Sequence, residues 1–295
     1  MALAAQQKKV SFRAKEASKC PICGTSHNRE ELLSGGGRLI AGNMTNELRR
    51  LYEESKKWGK IYPLAYVLTV CPKCLFSSFT KDFKAVKPEE KAALQKTVPQ
   101  RQKILQVLFN GKVDYNKDRD LLAGVASYIL AVDCYHLRMP DVAPTPKKAV
   151  CSIRAAWLLD DLSKLVDYRP YDKVRDFYYM EAANDYRITL DLMQSNAEPI
   201  DQAVALLGPS LDHNWAFDGI IYLNSFLTRK YIDQMATTVK QKLDLITLSK
   251  RYLAKLYGSG KASKSRPSVI MDKAKDLYDE MGVLLKSLEE QMEEN

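Results

Sequence analysis

Histidine is the scarcest reactive residue in this chain: 295 residues carry three, His27, His136 and His213. None stands at a recognisable motif spacing from a Ser or Cys nucleophile, so triad and dyad chemistry has no foothold. Paired acids add little, because Asp160-Asp161 and Glu289-Glu290 read as exposed helix faces rather than as an acid and base sharing a site. No catalytic residue, no enzyme activity and no small-molecule substrate is therefore expected. No apolar run approaches the roughly 18 residues of a membrane span, and Met1 to Lys9 holds too short an apolar stretch for a secretory signal. A cytoplasmic location without disulfides follows as the expectation.

Of the six cysteines present, four fall in two Cys-Pro-x-Cys knuckles, Cys20-Pro21-Ile22-Cys23 and Cys71-Pro72-Lys73-Cys74. Two cysteines three positions apart on a tight turn can aim both sulfurs at one ion at about 2.3 Å, so each knuckle is half of a tetrahedral site. Proline starts each turn with its fixed φ, and Gly24 can take the positive φ that closes the first. Leu75 stands at the matching place in the second, which predicts either a different closure or a strained leucine. A disulfide pair, a redox Cys-x-x-Cys and unrelated buried thiols are the competing readings. The doubled motif and the lack of a secretory signal favour structural Zn2+ held by Cys20, Cys23, Cys71 and Cys74. His27 is an alternative ligand but is expected at the surface, and Cys134 and Cys151 are expected as small core residues.

Residues 24–70 separate the knuckles, so a folded insertion is expected between them. Closing such a loop costs about 4 kcal/mol of chain entropy, whereas structural zinc supplies about 10–16 kcal/mol of apparent binding at neutral pH, and the metal wins. The insertion reads as Glu30 to Leu33, a hairpin turn at Ser34-Gly35-Gly36-Gly37-Arg38 leading into Leu39 to Gly42, and a helix over Thr45 to Trp58. Leu48, Leu51, Tyr52, Ser55 and Trp58 line one face of that helix at offsets of three and four. The glycine run lacks the Lys-Ser/Thr of a phosphate-binding loop. Ile61 to Val70 reads as a strand that delivers the second knuckle, with Phe76 to Phe83 leading away.

Cys20-Pro-Ile-Cys-Gly, the Arg38 region, Tyr62-Pro63-Leu64-Ala65-Tyr66, Cys71-Pro-Lys-Cys and Asp82-Phe83 together resemble a bacterial family of uncharacterised proteins, domain of unknown function number 2225. The resemblance implies an N-terminal two-knuckle metal region followed by a tetratricopeptide-like helical part. It implies Cys20, Cys23, Cys71 and Cys74 as ligands, and no reaction.

Charge is divided unevenly. Residues 1–110 hold 20 Lys and Arg against 9 Asp and Glu, a net of +11, and the remainder is −2. A basic zinc module suggests phosphate neutralisation, with Arg38, Arg49, Arg50, Lys56, Lys57 and Lys60 as anion or nucleic-acid contacts, Lys8, Lys9, Arg13 and Lys15 beside them, and Trp58, Tyr62 and Tyr66 for stacking. The competing reading is a solubilising face on a protein-interaction module. No zinc-finger recognition helix and no aromatic RNA-binding signature is present.

From Asp118 the pattern is helical: Asp118 to Met139, Pro146 to Val166, Pro170 to Ser195, Ala216 to Tyr231, Met235 to Tyr257 and Pro267 to Glu293. Trp157-Leu158, and Tyr178, Ala182, Tyr186, Thr189 and Met193 on one face, give the tetratricopeptide-like look, short of a consensus repeat. The last helix carries Ile270, Ala274, Leu277, Met281, Leu284 and Leu288 as a heptad seam after a basic linker, Tyr257 to Pro267. That seam either docks at home as a cap or is offered to a partner.

These readings predict a mostly α chain: a flexible basic arm over 1–18, a small zinc-ribbon-like α+β module over 19–110, and a helical tetratricopeptide-like repeat or bundle over 111–295. The expected role is a cytoplasmic adaptor or scaffold with protein partners. The alternatives are a zinc-dependent nucleic-acid or ribosome-associated protein and a thiol or metal sensor.

Overall fold

The computed structural model describes residues 9–166, 170–260 and 267–293. The chain is mostly α, with three small antiparallel strand pairs gathered near its start. β1 (Ser11–Lys19) pairs with β2 (Ser26–Leu32), β3 (Ile40–Met44) with β4 (Arg50–Glu53), and β5 (Leu68–Val70) with β6 (Ser77–Phe79). A short α1 (Thr80–Phe83) continues from β6, and α2 (Pro88–Lys96) and α3 (Val98–Phe109) lead to the helical half. That half consists of α4 (Leu121–Tyr135), α5 (Pro144–Ser163), α6 (Tyr171–Ser195), α7 (Ala216–Lys230), α8 (Ile232–Met235), α9 (Val239–Gly260) and α10 (Ser268–Glu293).

Local chemistry explains the helix ends. Asp120 caps α4, its carboxylate accepting from the Ala123 amide at 2.8 Å, and Glu90 accepts from the Lys87 amide at 2.8 Å at the start of α2. Asn110 and Asn196 close α3 and α6 in the left-handed region, which asparagine tolerates better than most residues. Nearly every residue of α4 is buried, the mark of a helix covered on all sides. One apolar core runs from Leu48, Leu64 and Leu68 through α4 to α7 and on to Leu288. A smaller one surrounds the knuckles with Ile22, Phe76, Phe83, Leu94 and Cys134.

Several expectations are corrected. The loose arm is structured from Ser11 onward, because the chain on either side of the first knuckle pairs as a hairpin; residues 1–8 lie outside those described. The helix expected over Thr45 to Trp58 is a hairpin. Thr45 Oγ1 accepts from the Glu47 and Arg49 amides at 3.2 and 3.3 Å, and Leu48 turns the chain at φ 58°, so local hydroxyl bonding beats the helical spacing. Of the supposed face, Leu48 is buried and Leu51 exposed. The glycine run turns the chain as expected, with Gly35, Gly36 and Gly37 all at positive φ, but β2 and β3 are not paired across it, so it joins two hairpins rather than closing one. The strand over Ile61 to Val70 is reduced to β5, since Pro63 opens a 3-10 turn at Pro63–Tyr66. The seam of α10 packs against α9 and α7 within the chain. Ile270, Ala274, Leu277, Met281 and Leu288 are buried and Leu284 half-buried. It is a capping face here, and linker residues 261–266 lie outside those described.

Buried ion pairs bind the first hundred residues to the helices. Arg138, just after α4, donates from Nε to Glu90 Oε1 at 2.9 Å with both side chains enclosed, and Lys147 of α5 meets Asp82 at 2.7 Å. Removing one member strands the other charge without water. The variant Glu90→Ala is expected to lose about 3–5 kcal/mol, read as a lower urea midpoint at an unchanged slope. A loss below about 1 kcal/mol would show that Arg138 finds other partners.

A candidate four-cysteine metal centre

Each knuckle is the turn of a hairpin. The pairing of β1 with β2 ends at Lys19 and Ser26, and that of β5 with β6 ends at Val70 and Ser77, so the two Cys-Pro-x-Cys segments occupy equivalent places. Their closures match bond for bond. The Cys20 amide donates to Thr25 O at 2.9 Å and the Gly24 amide to Cys20 O at 3.0 Å, while the Cys71 amide donates to Phe76 O at 2.9 Å and the Leu75 amide to Cys71 O at 3.0 Å. Gly24 takes φ 74° and Leu75 φ 60°, so the leucine does adopt the glycine conformation.

Leu75 is nonetheless no weak point. The left-handed backbone costs a non-glycine residue about 1–2 kcal/mol, whereas burying a leucine contributes about 1.5–3 kcal/mol. Leu75 is 7% exposed and belongs to the main core, so packing outweighs strain.

The two turns bring the four sulfurs together, all within 4.8 Å of one another. Cys20 and Cys74 Sγ lie 3.6 Å apart, as do Cys23 and Cys71. A bonded disulfide is near 2.05 Å, so these are contacts between free thiols. A tetrahedron of sulfurs about 2.3 Å from a central ion has edges of about 3.8 Å, so the arrangement fits a thiophilic, four-coordinate metal. Cys20, Cys71 and Cys74 are buried and Cys23 is half-buried.

Hydrogen bonding to Cys71, then burial, pushes Cys20 up to about 12. Cys74 is raised by hydrogen bonding to Cys20 and Cys71 and by burial. The nearby Cys20 and Cys74 thiols hold Cys71 far below the usual thiol range. A metal binding all four sulfurs displaces the remaining protons, so affinity must fall on acidification. Arg101 of α3, fully buried, donates from Nε to Cys74 O at 3.1 Å and from Nη2 to Leu94 O at 2.6 Å, pinning the second knuckle with a positive charge nearby. No sequence signal marked Arg101: its α3 position carries no motif. Cys134 and Cys151 are core thiols as expected, burial pushing Cys134 up to about 11 and Cys151 higher still. His27 packs edge-on against Phe83 at 5.6 Å and stands outside the four-sulfur cluster.

The proposed anion contacts are scattered and mostly engaged. Arg49 donates to Trp157 O at 3.0 Å and pairs with Asp161, and Arg50 donates to Gly42 O at 2.8 Å and pairs with Asp212 at 2.6 Å. Arg38 stacks on Trp58 at 4.1 Å and bonds Gly35 O at 3.0 Å; Lys57 lies 4.9 Å from the same ring. Lys60 donates to Tyr52 O at 2.6 Å, and Lys56 is exposed. The residue that sequence reasoning missed is Glu47, an acid in a basic stretch, which gathers donors from three helices.

Residues 14–281 match the model of a family described as "Uncharacterized protein conserved in bacteria (DUF2225)". The chain belongs to this family. It is 36% identical over 283 residues to an uncharacterized protein of Borreliella burgdorferi, covering 95% of this chain and 99% of that one. No solved structure matches.

Leu75→Gly is expected to keep full metal stoichiometry and to lose about 0.5–1 kcal/mol of stability, because the packing removed slightly exceeds the strain relieved. A raised melting temperature would show instead that strain dominates.

Proposed function

We propose that this protein is a non-enzymatic adaptor whose four-cysteine clasp holds structural Zn2+ and whose helices α4 to α10 form a tetratricopeptide-like interaction layer. The observation that carries the reading is the closure of the metal centre. Four sulfurs within 4.8 Å of one another supply every ligand a tetrahedral ion takes, which would leave no position for water or substrate, and three of them are buried. Zn2+ fits best, because an all-thiolate tetrahedron suits a d10 ion with no directional preference. Bound there, the ion supplies cross-linking and charge neutralisation; the chain's own part is to hold two hairpin turns face to face.

The basic side chains support the protein-binding reading over nucleic acid. Arg49 and Arg50 spend their charge on Asp161 and Asp212. The exposed side chains of Leu165, Phe177 and Val283 offer apolar contact on the helical half.

Purified protein should contain one zinc per chain by elemental analysis, and stripping it with a strong chelator should weaken part of the near-UV signal, leaving that of the helical half, and lower the melting temperature. Affinity capture from a bacterial lysate, with and without nuclease, tests the role. Partners that survive nuclease support the adaptor; loss of all of them with steep salt dependence transfers the reading to nucleic acid.

A further inference from the structure

The hairpin turn between β3 and β4 does not sit on the surface of its own module. It is inserted among the helices of the other half and bonded to side chains of α5, α6, α7 and α10. The Glu47 carboxylate accepts from Trp157 Nε1 of α5 at 2.5 Å, from Tyr179 OH of α6 at 2.7 Å and from Lys230 Nζ of α7 at 2.7 Å. The Lys230 ammonium lies 4.2 Å from the Tyr179 ring and 5.3 Å from that of Tyr231, so the acid is read by a cation backed by two aromatic faces. Asn46 O accepts from Tyr222 OH at 2.8 Å and Asn46 Oδ1 from Lys273 Nζ of α10 at 2.7 Å. Leu48, at positive φ, is fully buried in the main core. Beside the turn a cleft of about 500 Å³ is lined by Lys164, Arg175 and Lys230 and also by Asp160, Asp161 and Asp176.

We propose that the face formed by α5, α6 and α7 is a peptide-recognition groove for an acidic turn of the Asn-Glu-Leu type, that residues Thr45 to Arg49 are its resident occupant, and that a partner's turn of the same chemistry competes for it. The donors reading Glu47 come from three different helices, so the selectivity belongs to their packing and not to the hairpin. The occupant is tethered inside residues 24–70, whose two ends are held by the knuckles, so the metal sets its effective concentration at the groove. The inference deepens the adaptor reading and rests on it. It is read by peptide binding and hydrogen exchange rather than by captured partners, so either can fail alone.

The probe is a cyclised peptide of residues 42–53, added to the zinc-loaded full-length chain and to the same chain carrying Glu47→Gln and Leu48→Ala. A resident occupant taxes the wild-type groove, so the double variant should bind the probe at least about tenfold more tightly than wild type. A probe carrying Glu47→Gln should lose that gain, as should a triple variant that adds Lys230→Ala. A folded double variant that ignores the probe, or equal binding of the Gln probe, overturns the proposal. Hydrogen exchange on the wild-type chain decides even where the double variant does not fold. On chelation, residues 45–49 should lose protection while α5, α6 and α7 keep theirs; simultaneous loss throughout would make the turn ordinary core and end the idea.

Discussion

Two hairpin turns meeting sulfur to sulfur set where the first hundred residues leave and return. β1 with β2 and β5 with β6 are short ladders, and a two-stranded hairpin is marginal in water by itself. Each turn supplies half of one four-sulfur cluster, β5 and β6 pack on α1 and α4, and Leu94 of α2 joins the core around the knuckles. The clasp is thus buried on the side where a free ribbon would be wet, and its second half is held by the Arg101 guanidinium as well as by its own turn.

From that constraint the position of the insertion follows. With Gly24 and Val70 fixed by the knuckles, residues between them must leave and return to one place, and they do so by an independent hairpin, β3 with β4, that reaches the helices. The reach is stabilised by polar contacts, part-buried at Trp157 and Tyr179 and exposed at Lys230 and Asp212, together with the buried Leu48. Glu47 meets three donors, Arg49 meets Trp157 O and Asp161, and Arg50 meets Asp212. The part-buried ones are unforgiving, since a lost partner leaves an enclosed group unpaired, and they specify one docking geometry where apolar contact would tolerate several.

How much of this was legible follows from what each signal reports. The knuckles were plain because metal spacing is a local code, and α5, α6, α7 and α10 because their apolar spacing persists over many turns. The hairpin at Thr45 was not, because Leu48, Leu51, Tyr52 and Ser55 mimic a helical face over a short window, and the deciding interactions are Thr45 Oγ1 bonding its neighbours' amides and helices more than a hundred residues away. β1 was missed for a similar reason: its partner strand lies beyond a knuckle, and only the pairing makes it a strand. Leu75 misled in the opposite direction. Its positive φ was inferable from the match with Gly24, but the core that accepts its side chain was not.

The charge asymmetry along the chain changes meaning in three dimensions. Read linearly, residues 1–110 carry a net of +11 and the rest −2, which suggests one basic surface beside a neutral one. In the folded chain the two segments interpenetrate, and charges of one answer charges of the other: Arg49 with Asp161, Arg50 with Asp212, Glu90 with Arg138, Asp82 with Lys147, and Glu47 with Lys230. Two of those pairs place the acid in the basic segment and bury both members, which a design for solubility or for phosphate binding would not require. Screening by salt acts on exposed charge and barely on enclosed pairs. The charges used in these contacts, two bases and three acids of the first segment, are answered locally, and what they provide is a specified junction between the cysteine-knuckle hairpins and the helices.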